Sequence, residues 1–469
     1  MLELYRKSLE DAGCFTGEYP MEFLAASKVI PGNIPEKMKV LMSATELVVY
    51  AGHLRKPIDW HGTIVPVNMI SFLIGGSGSG KGMSVKSLGN ILTNGYTKIN
   101  TYREENAKVL AIEAAELDGK KPKDWRSYYS KPRSLKAGIS TLQGMMKHLA
   151  ALEAGELGAG YLYVDEIGSE LSSNKDLAEN IVALAVGYDT GEIAPKLLKD
   201  DSNQLDPVKN LPYSALLFGS PANIIYDEIV KKKFKEEFDT KLSRRSHFAY
   251  IRNESESLVF NTIEESREYD RREIADAEEA VSSLSPYFTS LVDATNRVPL
   301  TVSKEVNDLF SDYKRYNEWV VKTMPKQYPT SMLHRLHLQW KSLKIAGALA
   351  IISNSNSIEK VHFVDAINFT EIYAEDMQDF EVELQKESYE LFADYMISIA
   401  DNGYANISIH KLRKMGFVKG NGVAQNKMLE LIDLARSYDS SNRYEYAEGY
   451  IHFYEEAQEQ QQEDLGGIA

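Results

Sequence analysis

The stretch that decides the fold is Met69-Ile70-Ser71-Phe72-Leu73-Ile74 followed by Gly75-Gly76-Ser77-Gly78-Ser79-Gly80-Lys81-Gly82. The first six residues predict a buried strand, and the glycine-rich loop opens a helix whose Val85, Leu88 and Leu92 share one face. This is the setting of a P-loop, whose glycines let backbone N–H groups surround a phosphate. The alternative is a Gly/Ser-rich loop that precedes a lysine by chance. We expect ATP to contact Gly75, Gly76, Ser77, Gly78, Ser79, Gly80, Lys81, Gly82 and Met83.

The residue after the lysine departs from the P-loop pattern. Lys81 can reach the β- and γ-phosphates, but the motif then expects a Ser or Thr that ligates Mg²⁺, and this chain has Gly82. Ser84 lies two positions further along the helix, where its side chain would point away from the phosphates. The sequence therefore favours nucleotide binding over fast hydrolysis.

A second apolar run, Tyr161 to Val164, ends at the acidic pair Asp165-Glu166 and looks like a Walker B motif. Asp165 would hold Mg²⁺ through water, and Glu166 would polarise the attacking water as a general base. The alternative is an ordinary strand that ends in Asp at a turn. The adjacent acids favour an additional-strand ATPase of the AAA+ type over a kinase or a small GTPase.

A third predicted strand, Ser214 to Phe218, leads into a turn with polar residues. At the tip of such a strand AAA+ ATPases place a sensor for the γ-phosphate, so Ser220 and Asn223 are candidates. A simple turn at Pro221 explains the same residues.

Two arginines come after the third predicted strand. In the order of motifs along the chain, ring-shaped ATPases carry there an arginine that reaches the γ-phosphate bound by the neighbouring subunit. Arg244 and Arg245 are the candidates, and a surface basic pair opposite Glu236 and Glu237 is the alternative. Arg335 is a candidate second sensor, with a solvated helix face as the competing interpretation.

Length and composition limit the class of protein. The chain has 469 residues, of which 43% are hydrophobic and 26% charged, so we expect two to four folded domains. The formal charge of −15 argues against a protein that coats nucleic acid in general. It is compatible with basic patches on part of the surface. Cys14 is the only cysteine. We expect a cytoplasmic protein, in the bacterial host if the gene is of phage origin.

The order of predicted elements indicates five regions. Alternating strands and helices in the second region predict an α/β P-loop core with a parallel sheet and helices on both faces. The regions are a helical segment at 1–60, the core at 61–255, a helical lid or linker at 256–395, a winged-helix-like module at 396–454, and an acidic tail at 455–469. The strongest helix of the lid is predicted at Leu333 to Ile352.

A basic segment, residues 119–136, lies between the two Walker-like motifs. It holds seven bases and one acid, with three aromatic residues between them and two prolines that discourage regular structure. Bases neutralise a nucleic-acid backbone and aromatic rings stack on nucleobases. The alternatives are a solvated insertion and a contact to an acidic neighbouring subunit. The candidate nucleic-acid ligands are Lys120, Lys121, Lys123, Trp125, Arg126, Lys131 and Arg133.

The carboxyl-terminal region is predicted to be a winged helix. It has a short helix at 407–415, a longer helix at 424–438, and a hairpin formed by 443–446 and 450–454. Residues near the start of the longer helix would read a DNA major groove, namely Asn421, Gln425, Asn426 and Lys427. A protein-docking module is the alternative.

From about Glu22 to Ala366, the order of features resembles a family of phage and mobile-element P-loop ATPases related to primase-associated helicases. The matching pieces are Pro66-Val67-Asn68-Met69, Thr141-Leu142-Gln143-Gly144, Gly219-Ser220-Pro221, Arg244-Arg245 and Leu343-Lys344-Ile345-Ala346-Gly347. The resemblance implies a role in DNA replication and a ring assembly.

Three functions remain open at this point. The first is an ATP- and Mg²⁺-dependent homo-oligomeric ring, with a hexamer preferred, that moves along single- or double-stranded DNA as a helicase or translocase beside other replication proteins. The second is a slow nucleotide-dependent switch such as an initiator, loader or adaptor, which Gly82 suits better. The third is a scaffold that binds nucleotide only for structure.

Overall fold

The structure is a computed structural model. It describes residues 1–76, 80–129, 131–132, 134–153, 156–193, 208–239, 241–251, 259–415, 417, 424–440 and 442–455, without the side chains of 122, 142, 414 and 424–427. Two compact units are present. The first comprises Met1–Gly219 and Glu236–Asp379, and the second comprises Ser220–Lys235 and Phe380–Ala469. Both the predicted amino-terminal region and the two Walker-like motifs belong to the first unit.

The described strands and helices alternate through the first half of the chain. The strands are β1 Ile58–Trp60, β2 Thr63–Val65, β3 Ile70–Ile74, β4 Gly160–Val164, β5 Tyr213–Gly219, β6 Ser246–Tyr250, β7 Thr301–Val302, β8 Ser357–Ile358, β9 Tyr404–Ser408, β10 Asn442–Ala447 and β11 Tyr450–Glu455. The helices are α1 Leu2–Ala12, α2 Met21–Ser27, α3 Glu36–His53, α4 Lys81–Leu117, α5 Leu142–Glu153, α6 Ile167–Ser173, α7 Leu177–Thr190, α8 Pro221–Ile225, α9 Glu228–Phe238, α10 Ile263–Ala294, α11 Lys304–Thr323, α12 Pro329–Arg335, α13 Leu338–Ile352, α14 Lys360–Ile372, α15 Asp376–Gln385, α16 Ser388–Ser398, α17 Ile409–Met415 and α18 Ala424–Tyr438. None of these helices is long and apolar enough to cross a lipid bilayer.

A four-stranded parallel sheet forms the centre of the first unit, in the order β4-β5-β3-β6. Every residue of β3 and of β5 is buried, as expected for parallel strands that helices cover on both faces. Ala137 pairs in parallel with Leu162 on the outer side of β4. The predicted α/β class with a parallel sheet is confirmed.

Helix α3 packs against this sheet and is buried on almost every side. The hydroxyls of Thr45 on α3 and Ser71 on β3 lie 2.7 Å apart. A Cβ atom on Gly95 of α4 would stand 2.1 Å from the Tyr50 hydroxyl of α3, so this glycine lets the two helices approach. A helix that is buried along most of its length belongs to the core of its unit.

The predicted helix at Leu333 to Ile352 is wrong in its first turn. Pro329 starts a separate short helix, α12, and α13 begins only at Leu338. The break between them coincides with two inward contacts, in which the His334 ring meets the Ser243 carbonyl and the Arg335 guanidinium meets the Glu371 carboxylate.

In the second unit, β9, β10 and β11 form an antiparallel sheet in the order β10-β11-β9. Helix α18 and the hairpin lie where the sequence predicts them. The short helix is α17 and begins at Ile409, because residues 407 and 408 complete strand β9 against β11. Phe392 of α16 is fully buried in the same core as Ile432 and Phe453, so this core includes a helix that begins before the predicted boundary at 396.

Candidate functional site

The ends of β3, β4 and β5 place the two Walker-like motifs at one edge of the sheet. Parallel strands bring their carboxyl ends to the same edge, where open α/β sheets bind ligands. The Lys81 ammonium donates to the carbonyl oxygens of Gly75 and Gly219, each at 3.2 Å. The Gly75 N–H also donates to the Gly219 carbonyl at 3.1 Å. The lysine is thus held across the ends of β3 and β5.

The charges around Lys81 link it to the second motif. Burial lowers the pKa of Lys81, and the carboxylates of Glu166 and then Asp165 act in the opposite direction. The three side chains therefore share one electrostatic environment. Gly76 and Gly80 flank the loop, whereas Ser77, Gly78 and Ser79 lie outside the described residues.

The two acids differ in their surroundings. Asp165 is exposed, and its Oδ1 accepts a 3.4 Å hydrogen bond from the Tyr163 hydroxyl. Glu166 is half-buried, and its Oε1 accepts from the Gly168 N–H at 3.3 Å, so that it caps α6. Mg²⁺ in proteins usually binds through one or two carboxylates and keeps waters and phosphates as its other ligands, and an exposed carboxylate such as Asp165 is a suitable donor.

Gly82 and Ser84 begin α4 together with Met83. A Cβ atom on Gly82 would meet no other atom within 4 Å, so a side chain fits there. The Ser84 hydroxyl is buried and donates to the Gly80 carbonyl at 2.9 Å, inside the helix. Met83 is 69% exposed. A metal-ligating side chain would therefore fit at position 82, whereas the Ser84 hydroxyl already forms a hydrogen bond to the Gly80 carbonyl.

Ser220 and Asn223 belong to the second unit, at the start of α8. Ser220 is buried and is the N-cap residue, and the Asn223 N–H donates to its carbonyl at 3.2 Å. Pro221 occupies the first position of the helix, where its missing N–H costs nothing.

Arg245 and Arg335 are paired inside their own chain. Arg245 is 7% exposed, and its guanidinium forms an ion pair with the Asp189 carboxylate, with Nε at 3.0 Å from Oδ1. Arg244 is more exposed and lies 3.5 Å from the same carboxylate. The interpretation of Arg335 as part of a solvated helix face is wrong, because its guanidinium is buried against Glu371 at 2.9 Å.

The basic segment runs from the end of α4 toward β4. Pro122 opens a 3₁₀ helix, Pro122–Ser127, so the segment does contain regular structure. Trp125 packs edge-on against Tyr129 with ring centroids 5.4 Å apart, and the Lys108 ammonium of α4 lies 5.4 Å from the Trp125 ring. Six bases of the segment are exposed and none of them pairs with an acid among the described residues, namely Lys120, Lys121, Lys123, Arg126, Lys131 and Lys136. Arg133 lies outside the described part of the chain.

The predicted DNA-reading residues of the carboxyl-terminal module fall outside the described atoms. Gln425, Asn426 and Lys427 are in α18 but their side chains are not described, and Asn421 precedes the helix in an undescribed stretch. Lys411 and Arg413 on α17 are exposed.

A cavity of about 520 Å³ beside Ile34 was not predicted. It is lined by residues of α2, α3, α10 and the loop between α2 and α3, among them Lys28, Ile34, Lys39 and Asp276. Ile34 also packs on the loop, because its Cδ1 would stand 2.8 Å from a Cβ atom on Gly80. Only contacts between distant parts of the chain reveal this cavity, and no local pattern in the sequence indicates it.

No protein-family model matches the chain, and no curated protein matches it. Among the described residues, His, Cys, Asp and Glu do not form a cluster of three or more that would hold a metal on its own. A metal ion at Asp165 would therefore need ligands from a nucleotide and from water.

Proposed function

We propose that the first unit binds ATP with Mg²⁺ at the carboxyl edge of its parallel sheet and hydrolyses it. The observation that supports this most is that Lys81 spans the ends of β3 and β5 at the same edge where β4 leads into Asp165 and Glu166. The strand order adds support, because β5 lies between the P-loop strand β3 and the acidic strand β4, as the additional strand does in AAA+-type ATPases. A kinase or small-GTPase site is the weaker interpretation.

The proposed roles follow from the surroundings of each side chain. Lys81 would exchange its two carbonyl partners for phosphate oxygens, which are stronger acceptors. Asp165 would hold Mg²⁺ through water, and bound Mg²⁺ would neutralise charge on the phosphates. Glu166 would leave its bond to the Gly168 N–H and accept a proton from the attacking water. The cavity beside Ile34 is large enough for the nucleoside.

Replacing Gly82 by serine is expected to raise ATP turnover on the order of tenfold, equal to about 1.4 kcal/mol of added metal stabilisation. The new hydroxyl occupies open space and supplies the ligand that the P-loop pattern expects. Steady-state turnover at several Mg²⁺ concentrations measures the effect. Gly89→Ser is the matched control, since it also enters open space on α4. Equal turnover in wild type and Gly82→Ser would contradict a metal ligand position at residue 82.

We further propose a homo-oligomeric ring acting on DNA, in line with the resemblance to ATPases of phage and mobile-element replication. Arg244 is the better candidate for a residue that reaches a neighbour, because Arg245 is buried on Asp189. The exposed bases around Trp125 favour a nucleic-acid surface. In the second unit the order α16, β9, α17, α18, β10, β11 supports the winged-helix interpretation.

Single-stranded DNA is expected to stimulate ATP turnover severalfold, because a motor couples hydrolysis to its track. The measurement is turnover with and without an oligonucleotide, together with the particle mass under ATP and Mg²⁺. Slow turnover that DNA leaves unchanged would instead indicate the nucleotide-dependent switch, which Gly82 also suits. A monomer under all conditions would contradict the ring.

A further inference from the structure

Lys136, the last base of the basic segment, packs against strand β4, which leads into Asp165. The Lys136 ammonium stands 3.6 Å from the centroid of the Tyr163 ring and 5.4 Å from that of Tyr161. This is a close cation–π contact, well inside the distance at which such pairs attract. The hydroxyl of the same Tyr163 donates to Asp165 Oδ1 at 3.4 Å. One tyrosine thus touches both a lysine and the candidate metal-holding carboxylate.

Backbone hydrogen bonds fix this lysine in place. The next residue, Ala137, donates its N–H to the Tyr161 carbonyl at 2.9 Å and accepts from the Tyr163 N–H at 3.0 Å. The backbone beside Lys136 is therefore anchored to the edge of β4, although the Lys136 side chain is exposed like most of the basic segment. The contact also joins the basic segment to the strand that carries Asp165.

Asp165 has particular need of such support. Mg²⁺ demands near-ideal octahedral geometry, so a carboxylate that holds one of its waters must be well oriented. A P-loop with Ser or Thr after the lysine shares the ion between two protein groups, but here position 82 is glycine. Removing a group that hydrogen-bonds a metal-coordinating side chain typically changes the metal affinity of the site by about 10–100-fold.

We propose that Tyr163 and Lys136 are positioning residues that orient Asp165 for Mg²⁺ in the nucleotide site. The Tyr163 hydroxyl holds one carboxylate oxygen, and the Lys136 ammonium over the ring draws electron density from the phenol and makes it a stronger donor. This proposal rests on the proposed function, since it concerns the metal of the same ATP site.

The test is ATP binding measured by calorimetry in EDTA and across a Mg²⁺ series. Tyr163→Phe is expected to leave ATP affinity in EDTA unchanged and to raise the Mg²⁺ concentration for half-maximal tightening about tenfold. Lys136→Met should shift that midpoint in the same direction by a smaller factor. Lys147→Met, which removes an exposed lysine of α5, is the matched control and should leave it unchanged. Adding Gly82→Ser to Tyr163→Phe should restore much of the lost Mg²⁺ response.

An unchanged Mg²⁺ midpoint in both Tyr163→Phe and Lys136→Met, with normal ATP affinity, would overturn the positioning role and leave the ATP site intact. A wild-type chain that binds no ATP with or without Mg²⁺ would overturn the proposed function and this inference with it. A loss of ATP affinity in EDTA for Tyr163→Phe would mean that the tyrosine supports the fold of the site instead of the metal ligand.

Discussion

Lys81→Ala is expected to weaken ATP binding about a hundredfold or more. The Lys81 ammonium is half-buried and donates to the carbonyl oxygens of Gly75 and Gly219, so it is already directed across the edge of the sheet where phosphates would lie. A charge-assisted hydrogen bond contributes about 1.5–3 kcal/mol, so two of them contribute about 3 kcal/mol or more. Because about 1.4 kcal/mol equals a tenfold change in affinity, losing both weakens binding about a hundredfold. Equilibrium binding of ATP, followed by calorimetry, measures the loss.

Lys86→Ala provides the matched control for this variant. Lys86 is an exposed lysine on the same helix, so its removal changes the net charge equally without touching the loop. Circular dichroism of both variants verifies that α4 is intact. If Lys81→Ala retained wild-type affinity for ATP, the P-loop interpretation of residues 75–82 would be wrong, whatever Lys86→Ala did.

The elements around the candidate site follow from local sequence. The apolar run before the glycine-rich loop becomes β3, the helix after it begins at Lys81, and the run before Asp165 becomes β4. The third predicted strand, at 214–218, becomes β5 with one further residue at each end. The strands consist largely of consecutive apolar residues, and the helix follows a run of glycines. The pattern of apolar residues and the position of glycine are therefore enough to predict these elements.

Long-range contacts were harder to predict. Mixed apolar faces indicate a helix over part of residues 1–60, but only the structure shows that α3 is buried against β3 through Thr45 and Ser71. Arg245 reads as a surface basic residue, yet Asp189, 56 positions earlier, holds it inside the unit. A pairing of this kind depends on which side chains the topology brings together, and no local spacing records it.

The basic segment shows the same limit. Its charge could be counted in the sequence, but the packing of Trp125 against Tyr129 and the anchoring of Lys136 on β4 arise from tertiary structure. The prolines suggested an irregular loop, and one of them instead begins a 3₁₀ helix. Composition therefore predicts the chemistry of a surface better than its shape.

Glu166→Gln is expected to keep ATP binding and to slow hydrolysis by about 10²–10⁴-fold, the usual contribution of a positioned general base. The amide cannot take a proton from water. Its oxygen can still accept the hydrogen bond from the Gly168 N–H, so the cap of α6 is retained. An alanine at this position would lose the cap as well, and its effect would combine lost chemistry with lost stability. Single-turnover hydrolysis of prebound ATP separates the chemical step from binding.

Glu170→Gln is the matched control, because Glu170 is the next carboxylate on α6 and its Oε2 accepts a 3.0 Å hydrogen bond from the Asn174 amide. It should hydrolyse ATP at the wild-type rate. If Glu166→Gln also hydrolysed ATP at that rate while binding it normally, Glu166 would not be the base, and its bond to Gly168 would identify it as a cap of α6. Asp165, which is exposed beside it, would then be the next carboxylate to test for activation of water. In that case Asp165→Asn should abolish turnover even when saturating Mg²⁺ restores nucleotide binding.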